Sequence, residues 1–178
     1  MTGVVIRPAT TSDQPFLRRM LYEALFVPPG SPPFPQSVID SPHFAAYVDG
    51  FGSRPGDIGY IALADGTPIG AIWARLPTGT HHGYGYVDDD TPELSMAVEP
   101  DHRSKGIGTA LLVRLVAECP RLSLSVDARN PAVRLYERAG FVPVAEDGDS
   151  LTMLRSRSPL RRGRRRWPVG VLRMLRQR

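Results

Sequence analysis

"PDHRSKGIGTALLVRL", residues 100–115, sets two glycines one residue apart, Gly106 and Gly108, at the mouth of an apolar-patterned helix. Glycine inside a helix costs about 1 kcal/mol relative to alanine, so a pair there needs a reason. The first turn of a helix presents backbone N–H groups without internal partners and carries about half a positive charge. Glycine removes the Cβ that would block an anion and admits the φ/ψ values that wrap a chain around it. Arg103 and Lys105 add mobile positive charge at the rim. A valine at 106 is therefore expected to close the phosphate path while leaving the fold intact. Two familiar phosphate loops are excluded. There is no GxxxxGK[S/T], and a dinucleotide fingerprint needs a third glycine where Leu111 stands.

The flanking chain gives the loop its setting. "ELSMAV" (93–98) reads as the strand before it, and a helix follows over about 106–118. "VVIRPAT" (4–10) is a β-branched strand. Thr11, Ser12 or Asp13 caps a helix over about 13–26, carrying Phe16, Leu17, Met20, Leu21 and Leu25 at helical spacing. Five prolines exclude regular structure from 27–36, and a second helix covers about 42–50. Runs at 58–64 and 68–76 flank Asp65–Gly66, a dipeptide suited to a type I′ hairpin. "RLSLSV" (121–126) alternates as a strand. "NPAVRLYERAG" starts a helix with Asn130 as N-cap and Pro131 at its first position, and Gly140 ends it. A last hairpin turns at Asp147–Gly148. The order β α α β β β α β α β β predicts a mixed α/β domain over residues 1–155 with a helix crossover. Residues 156–178 form an Arg-rich tail.

Charge divides the chain the same way. All 18 acidic residues lie before residue 155, beside only 12 of the 22 basic ones. The tail, with Trp167 and a short apolar–basic segment, is expected to be disordered, with nucleic acid or an anionic membrane as alternative partners. No apolar run approaches the roughly 20 residues that span a bilayer, and the N-terminus does not read as a secretory signal. The lone Cys119 excludes an internal disulfide framework and suits a reducing compartment, so a cytoplasmic location is expected. It reads as a small residue near a helix end rather than a nucleophile.

Here the sequence resembles the GNAT superfamily of N-acetyltransferases. The family motif R/Q-x-x-G-x-G/A, between strand and helix, is met by Arg103-Ser104-Lys105-Gly106-Ile107-Gly108. A second family element, N-x-A-x-x-L-Y-x-x-x-G-F, is met by Asn130, Ala132, Leu135, Tyr136, Gly140 and Phe141. The order of elements agrees from residue 4 to about 155, and the tail lies outside the resemblance. It implies a GNAT-like fold and acetyl-CoA as donor, with the pyrophosphate on the amides of Arg103, Ser104, Lys105, Gly106, Ile107, Gly108 and Thr109. It places the pantetheine arm along Met96, Ala97 and Val98, with Asn130 in the same site. Tyr136 matches the family's general acid toward the leaving sulfur; its alternative is a core aromatic.

Glu93 is the expected base. In some members the acid stands one position earlier, an offset that reverses the face of a regular strand unless a bulge restores it. Ser95, of the same parity, would position a water. Asp88, Asp89 and Asp90 read either as a solvated turn or as an attractor of a cationic amine. His81 and His82 lack an i,i+4 partner, so no metal is expected; a proton-accepting role in the cleft is the alternative. The acceptor wall is expected from the 27–36 loop, Phe44, Tyr47, Phe51, Trp73, Tyr84 and Tyr86. The implied acceptor is a small cationic amine or a peptide N-terminus, and a homodimer is compatible. The alternative function is a GNAT-fold regulatory module that holds acetyl-CoA without turnover, its basic tail docking nucleic acid or membrane.

Overall fold

The computed structural model describes residues 3–78 and 82–156. The expected readings of His81 and of the tail from 157 onward lie outside the described residues. Seven strands and four α-helices follow in the predicted order: β1 (Val4–Pro8), α1 (Gln14–Glu23), α2 (Pro42–Ala45), β2 (Ile58–Ala64), β3 (Thr67–Arg75), β4 (Glu93–Val98), α3 (Ile107–Glu118), β5 (Leu122–Asp127), α4 (Val133–Arg138), β6 (Val142–Asp147) and β7 (Ser150–Arg155). One mixed sheet runs β1-β2-β3-β4-β5-β7-β6.

Local chemistry accounts for most of the boundaries. Asp65 (φ +50°) and Gly66 (φ +79°) are both left-handed, as a type I′ turn requires, and Ala64 pairs with Thr67 across it. The second hairpin is displaced by one residue from expectation. Asp147 and Ser150 pair, so the turn residues are Gly148 and Asp149, with the positive φ on Gly148 alone. Asp13 precedes α1, but its carboxylate accepts the Thr10 N–H at 2.8 Å and the Arg7 guanidinium at 2.7 Å instead of capping forward. The expected 42–50 helix is only one α-turn long. Beyond it the chain continues in i→i+3 bonds toward Gly50 and Gly52, both at positive φ.

Each face of the sheet is covered. Ile107, Leu111, Leu112 and Leu115 of α3, at helical spacing, pack with Tyr136 and Phe141 on one face. Leu17, Met20 and Leu21 of α1 pack with Val48, Phe51 and Trp73 on the other. A buried ion pair pins the α2–β2 connection. Arg75 Nε lies 2.9 Å from Asp57 Oδ1, and Arg75 Nη1 donates to the carbonyls of Ala46 and Asp49 at 3.0 and 2.9 Å. Removing the carboxylate leaves a buried guanidinium uncompensated, so Asp57→Ala is expected to cost about 3 kcal/mol by urea denaturation.

One feature of the sheet positions the site. Among the described residues β4 and β5 are the only parallel neighbours, and they meet at a single register pair, Glu93↔Ser123, where the Ser123 N–H donates to the Pro92 carbonyl at 2.9 Å. From there the strands separate, and the freed edge of β4 opens a cleft. No helix among the described residues is long and apolar enough to cross a membrane.

Candidate active site

The cleft between β4 and β5 has a volume of about 960 Å³ and is lined from the loop before α3 to the α1–α2 connection. At one end, β4 leads through a short turn (Pro100–His102) into the loop 103–106 and then α3. Ser104 (φ +60°) and Gly106 (φ +81°) are both left-handed, which curls the main chain over the helix mouth. The first helical bond is Ala110 N–H to the Gly106 carbonyl at 3.0 Å. The six amides of residues 104–109 therefore donate to no protein acceptor among the described residues. Unpaired amides at a positive helix end are suited to an anion, and all of these residues but Lys105 line the cleft.

The two glycines have different reasons. A Cβ on Gly106 would meet nothing within 4 Å, but its positive φ strains any L-residue. Gly106→Val therefore perturbs the loop itself, which corrects the expectation that it would only block a ligand. Gly108 has an ordinary helical setting, where a Cβ would sit 3.7 Å from Leu135 and 3.8 Å from Met96, in the cleft. The fold tolerates alanine there. Gly108→Ala is expected to raise stability by up to about 1 kcal/mol. It should weaken coenzyme binding about tenfold, because the methyl holds the ligand off its amide donors. Thermal melts and calorimetry read the two effects separately.

Arg103 departs from the expected mobile charge. Its Nε donates to the Val98 carbonyl at 2.9 Å and its Nη2 pairs with Glu23 at 2.8 Å, tying the loop to β4 and to α1. Lys105 Nζ donates to the Asp101 carbonyl at 2.8 Å.

Along β4 the main chain alternates. Glu93, Ser95 and Ala97 pair with Arg75, Trp73 and Ala71 of β3, so the N–H and C=O groups of Met96 and Val98 face the open edge. Arg103 takes the Val98 carbonyl, leaving the Met96 pair and the Val98 N–H. Ala97 lines the cleft but turns its main chain to β3. Asn130 also lines the cleft. Its Oδ1 accepts the Ala132 N–H at 2.9 Å in an Asx turn, and the regular helix starts at Val133, two residues later than an Asn130 cap implies.

Tyr136 lies on α4 beside the cleft, 7% exposed, edge-on to Phe141 with ring centroids 5.8 Å apart. Its hydroxyl has no hydrogen-bond partner among the described residues, and burial pushes its pKa up to about 12.

Glu93 sits where β4 and β5 part. The β3–β4 register is unbroken from Arg75↔Glu93 to Gly70↔Val98, so no bulge is needed and the side chain shares a face with Ser95. Its Oε1 accepts the Tyr47 hydroxyl at 2.7 Å and the Gly85 N–H at 2.8 Å. Burial raises the carboxyl above its ordinary range, and those two bonds only partly oppose it. Burial, followed by the Glu93 charge, pushes the Tyr47 phenol up as well. Two glycines fit the loop to this group. A Cβ on Gly83 would stand 1.9 Å from Glu93 Oε2, and one on Gly85 would stand 2.5 Å from the Leu124 main chain. The two glycines, and the bond from Tyr47 to Glu93, were missed in the sequence. Their only trace is the glycine alternation in "GYGY" (83–86), since the partners lie far apart in the chain.

The remaining expected residues sort clearly. Burial works to raise the Asp88 carboxyl, but Thr91 at 2.6 Å and an ion pair with Arg121 outweigh it and hold it below its usual range. Asp88 thus clamps the loop to β5. Asp89 accepts the Tyr86 hydroxyl at 2.9 Å, and the His82 ring stacks on Tyr86 at 3.7 Å. No cluster of three or more His, Cys, Asp or Glu among the described residues is placed to hold a metal ion. Phe51 and Trp73 are core, 2% and 1% exposed, which corrects their expected place in the acceptor wall. Phe44, Tyr47 and Tyr84 do line the cleft. The half-buried Cys119 thiol donates to the Arg121 carbonyl, and burial pushes its pKa up.

Comparison with known proteins agrees with this geometry. The model of the acetyltransferase (GNAT) family matches residues 19–141. The chain is 35% identical over 97 residues to an S-(2-succino)cysteine N-acetyltransferase of Bacillus subtilis, spanning 49% of this chain and 56% of that enzyme. It is 29% identical over 136 residues to an uncharacterized N-acetyltransferase of Methanocaldococcus jannaschii, spanning 69% of this chain and 81% of that protein. Among solved structures, the PaiA N-acetyltransferase of Thermoplasma acidophilum in complex with coenzyme A superposes with TM-score 0.61 at 18% identity, covering 86% of this chain and 99% of that one. A putative acetyltransferase of Salmonella typhimurium with acetyl-CoA gives 0.60 at 18% identity, covering 86% and 93%. At such identities the likeness is one of fold.

Proposed function

The chain belongs to the GNAT acetyltransferase family, and from that premise we propose that it transfers the acetyl group of acetyl-CoA directly to a primary amine. The observation that carries this reading is the row of six unpaired amides over residues 104–109, opening onto the freed edge of β4. Acetyl-CoA supplies an activated thioester; the chain supplies the rest. The loop amides hold the diphosphate at the helix end. The Met96 and Val98 main chain orients the pantetheine arm, and an N–H there polarises the acyl carbonyl as charge develops on its oxygen.

Glu93 accepts the proton that the arriving ammonium must lose. Its raised pKa makes it a stronger base than an exposed carboxylate. Tyr136 stays protonated across the working pH range and donates its O–H to the departing sulfur. Because a phenol near 12 is a weaker acid than a thiol near 8.5, its main contribution is the hydrogen bond, with little net proton transfer.

S-(2-succino)cysteine, named for one relative, carries its amine beside three carboxylates. That substrate is not carried over, since the chain aligns with just over half of that enzyme. The test is acetyl-CoA-dependent thiol release over an amine panel, with products read by mass spectrometry. Release with an acetylated amine is expected. Coenzyme binding with no release over the whole panel would favour the regulatory-module reading instead.

A further inference from the structure

Resting on the acetyl transfer above, we infer that the acceptor is a primary amine carried on an aromatic body, and that Phe34 and Tyr84 select it. Tyr22, Phe26, Phe34, Phe44 and Tyr84 line the cleft, and Glu93 lines it with them. Phe34 and Tyr84 are 44% and 59% exposed, so these two large rings are held at the surface rather than spent in the core.

Tyr84 is held through its ring and main chain, and Phe34 through its main chain. The Tyr84 N–H donates to the Tyr47 hydroxyl at 2.8 Å, and its ring packs 4.4 Å from His43 and 5.7 Å from Phe44. The Phe34 carbonyl accepts the Tyr22 hydroxyl at 2.7 Å, within a proline-rich segment. A ring packed by its neighbours before binding, as Tyr84 is, loses little freedom when a flat ligand stacks on it. The same Tyr47 hydroxyl that positions Tyr84 donates to Glu93, so aromatic wall and carboxylate are set by one residue.

Charge narrows the class further. The arginines that line the cleft, Arg103 and Arg138, stand on the loop after β4 and on α4, and Arg103 is committed to Glu23 and Val98. Arg54 and Arg75 line a separate hollow of about 40 Å³ that also reaches Glu93, with Arg75 committed to Asp57 and main-chain carbonyls. Thus no Lys or Arg of α1, the 27–35 segment, α2 or the 82–91 loop lines the cleft among the described residues. An amine flanked by carboxylates would bury anions without partners. Glu23 and Asp127 also line the cleft but pair with Arg103 and Arg129, so a polyamine would bring several ammonium groups to the one carboxylate without an arginine, whereas a single ammonium on an aryl-ethyl arm satisfies Glu93 and fills the wall.

The test uses the full chain saturated with coenzyme A, titrated calorimetrically with 2-phenylethylamine, spermidine or glutamate. The aryl amine is expected to bind about tenfold tighter than either rival. Tyr84→Ala and Phe34→Ala, both at exposed rings, should each weaken it several-fold while coenzyme affinity holds. Equal or tighter binding of spermidine or glutamate overturns the inference, as does an unchanged affinity in both variants. Parallel turnover assays separate the two levels. Aryl amine bound but never acetylated sinks the transfer reading and keeps the acceptor class, while spermidine acetylated in preference sinks the class and keeps the transfer.

Discussion

Glu93→Gln is expected to lower kcat/KM for the amine by about 10²–10⁴-fold without weakening the fold. The amide keeps an oxygen for the Tyr47 hydroxyl and the Gly85 N–H, which lie 2.7 and 2.8 Å from the native carboxylate. What it loses is the capacity to take a proton. Steady-state kinetics on a saturating donor should show the loss in the amine limb alone, with KM for acetyl-CoA little changed. A residual rate near the wild-type value would remove Glu93 as base and leave its role structural.

The pH behaviour gives a second reading of the same group. Burial raises the Glu93 carboxyl above its unfolded value. The folded protein therefore binds the proton more tightly, and that stabilisation is complete below the unfolded pKa and lost as pH rises through the folded one. At neutral pH the ionised carboxylate costs stability, so the glutamine variant should unfold at higher denaturant there. The wild-type activity limb should fall as the carboxyl protonates, at a pH above the ordinary carboxylate range.

Tyr136→Phe should lower kcat by about 10²-fold, at the low end of what a positioned proton donor contributes. The hydroxyl has no partner to strand, so the variant loses no protein hydrogen bond and keeps the edge contact with Phe141. Stability is expected to hold, because no protein hydrogen bond is lost and the hydroxyl opens onto the cleft. The discriminating readout is the leaving group. An acyl donor with a more acidic thiol needs less help at sulfur, so it should narrow the gap between variant and wild type. A gap independent of the thiol would point to ring packing as the source of the loss.

Much of this was legible from residue type because the signals are local. Asp65–Gly66 sets its own turn, and the α3 spacing of Ile107, Leu111 and Leu115 sets its own buried stripe. The glycine loop between β4 and α3 was legible because a strand, two glycines and a helix lie within 26 residues. Long-range partners were not. Nothing near Arg103 announces that Glu23, 80 residues earlier, will hold its guanidinium, nor that Tyr47 will reach Glu93 across 46. Aromatic residues are equally ambiguous. Trp73 and Phe51 became core because the second apolar cluster closes over them, while Tyr84 stayed at the surface on a loop whose glycines press against Glu93 and β5. The short turn after Pro42 fell below the predicted helix because it depended on Gly50 and Gly52, both at positive φ.

The central claim, that a diphosphate is held by main-chain amides at the α3 mouth, is tested most directly by amide NMR during titration with coenzyme A. The largest shifts should fall on residues 104–109, with those of Met96 and Val98 next, and all should saturate together. Saturable binding that leaves the 104–109 amides unmoved would place the coenzyme elsewhere and contradict the account.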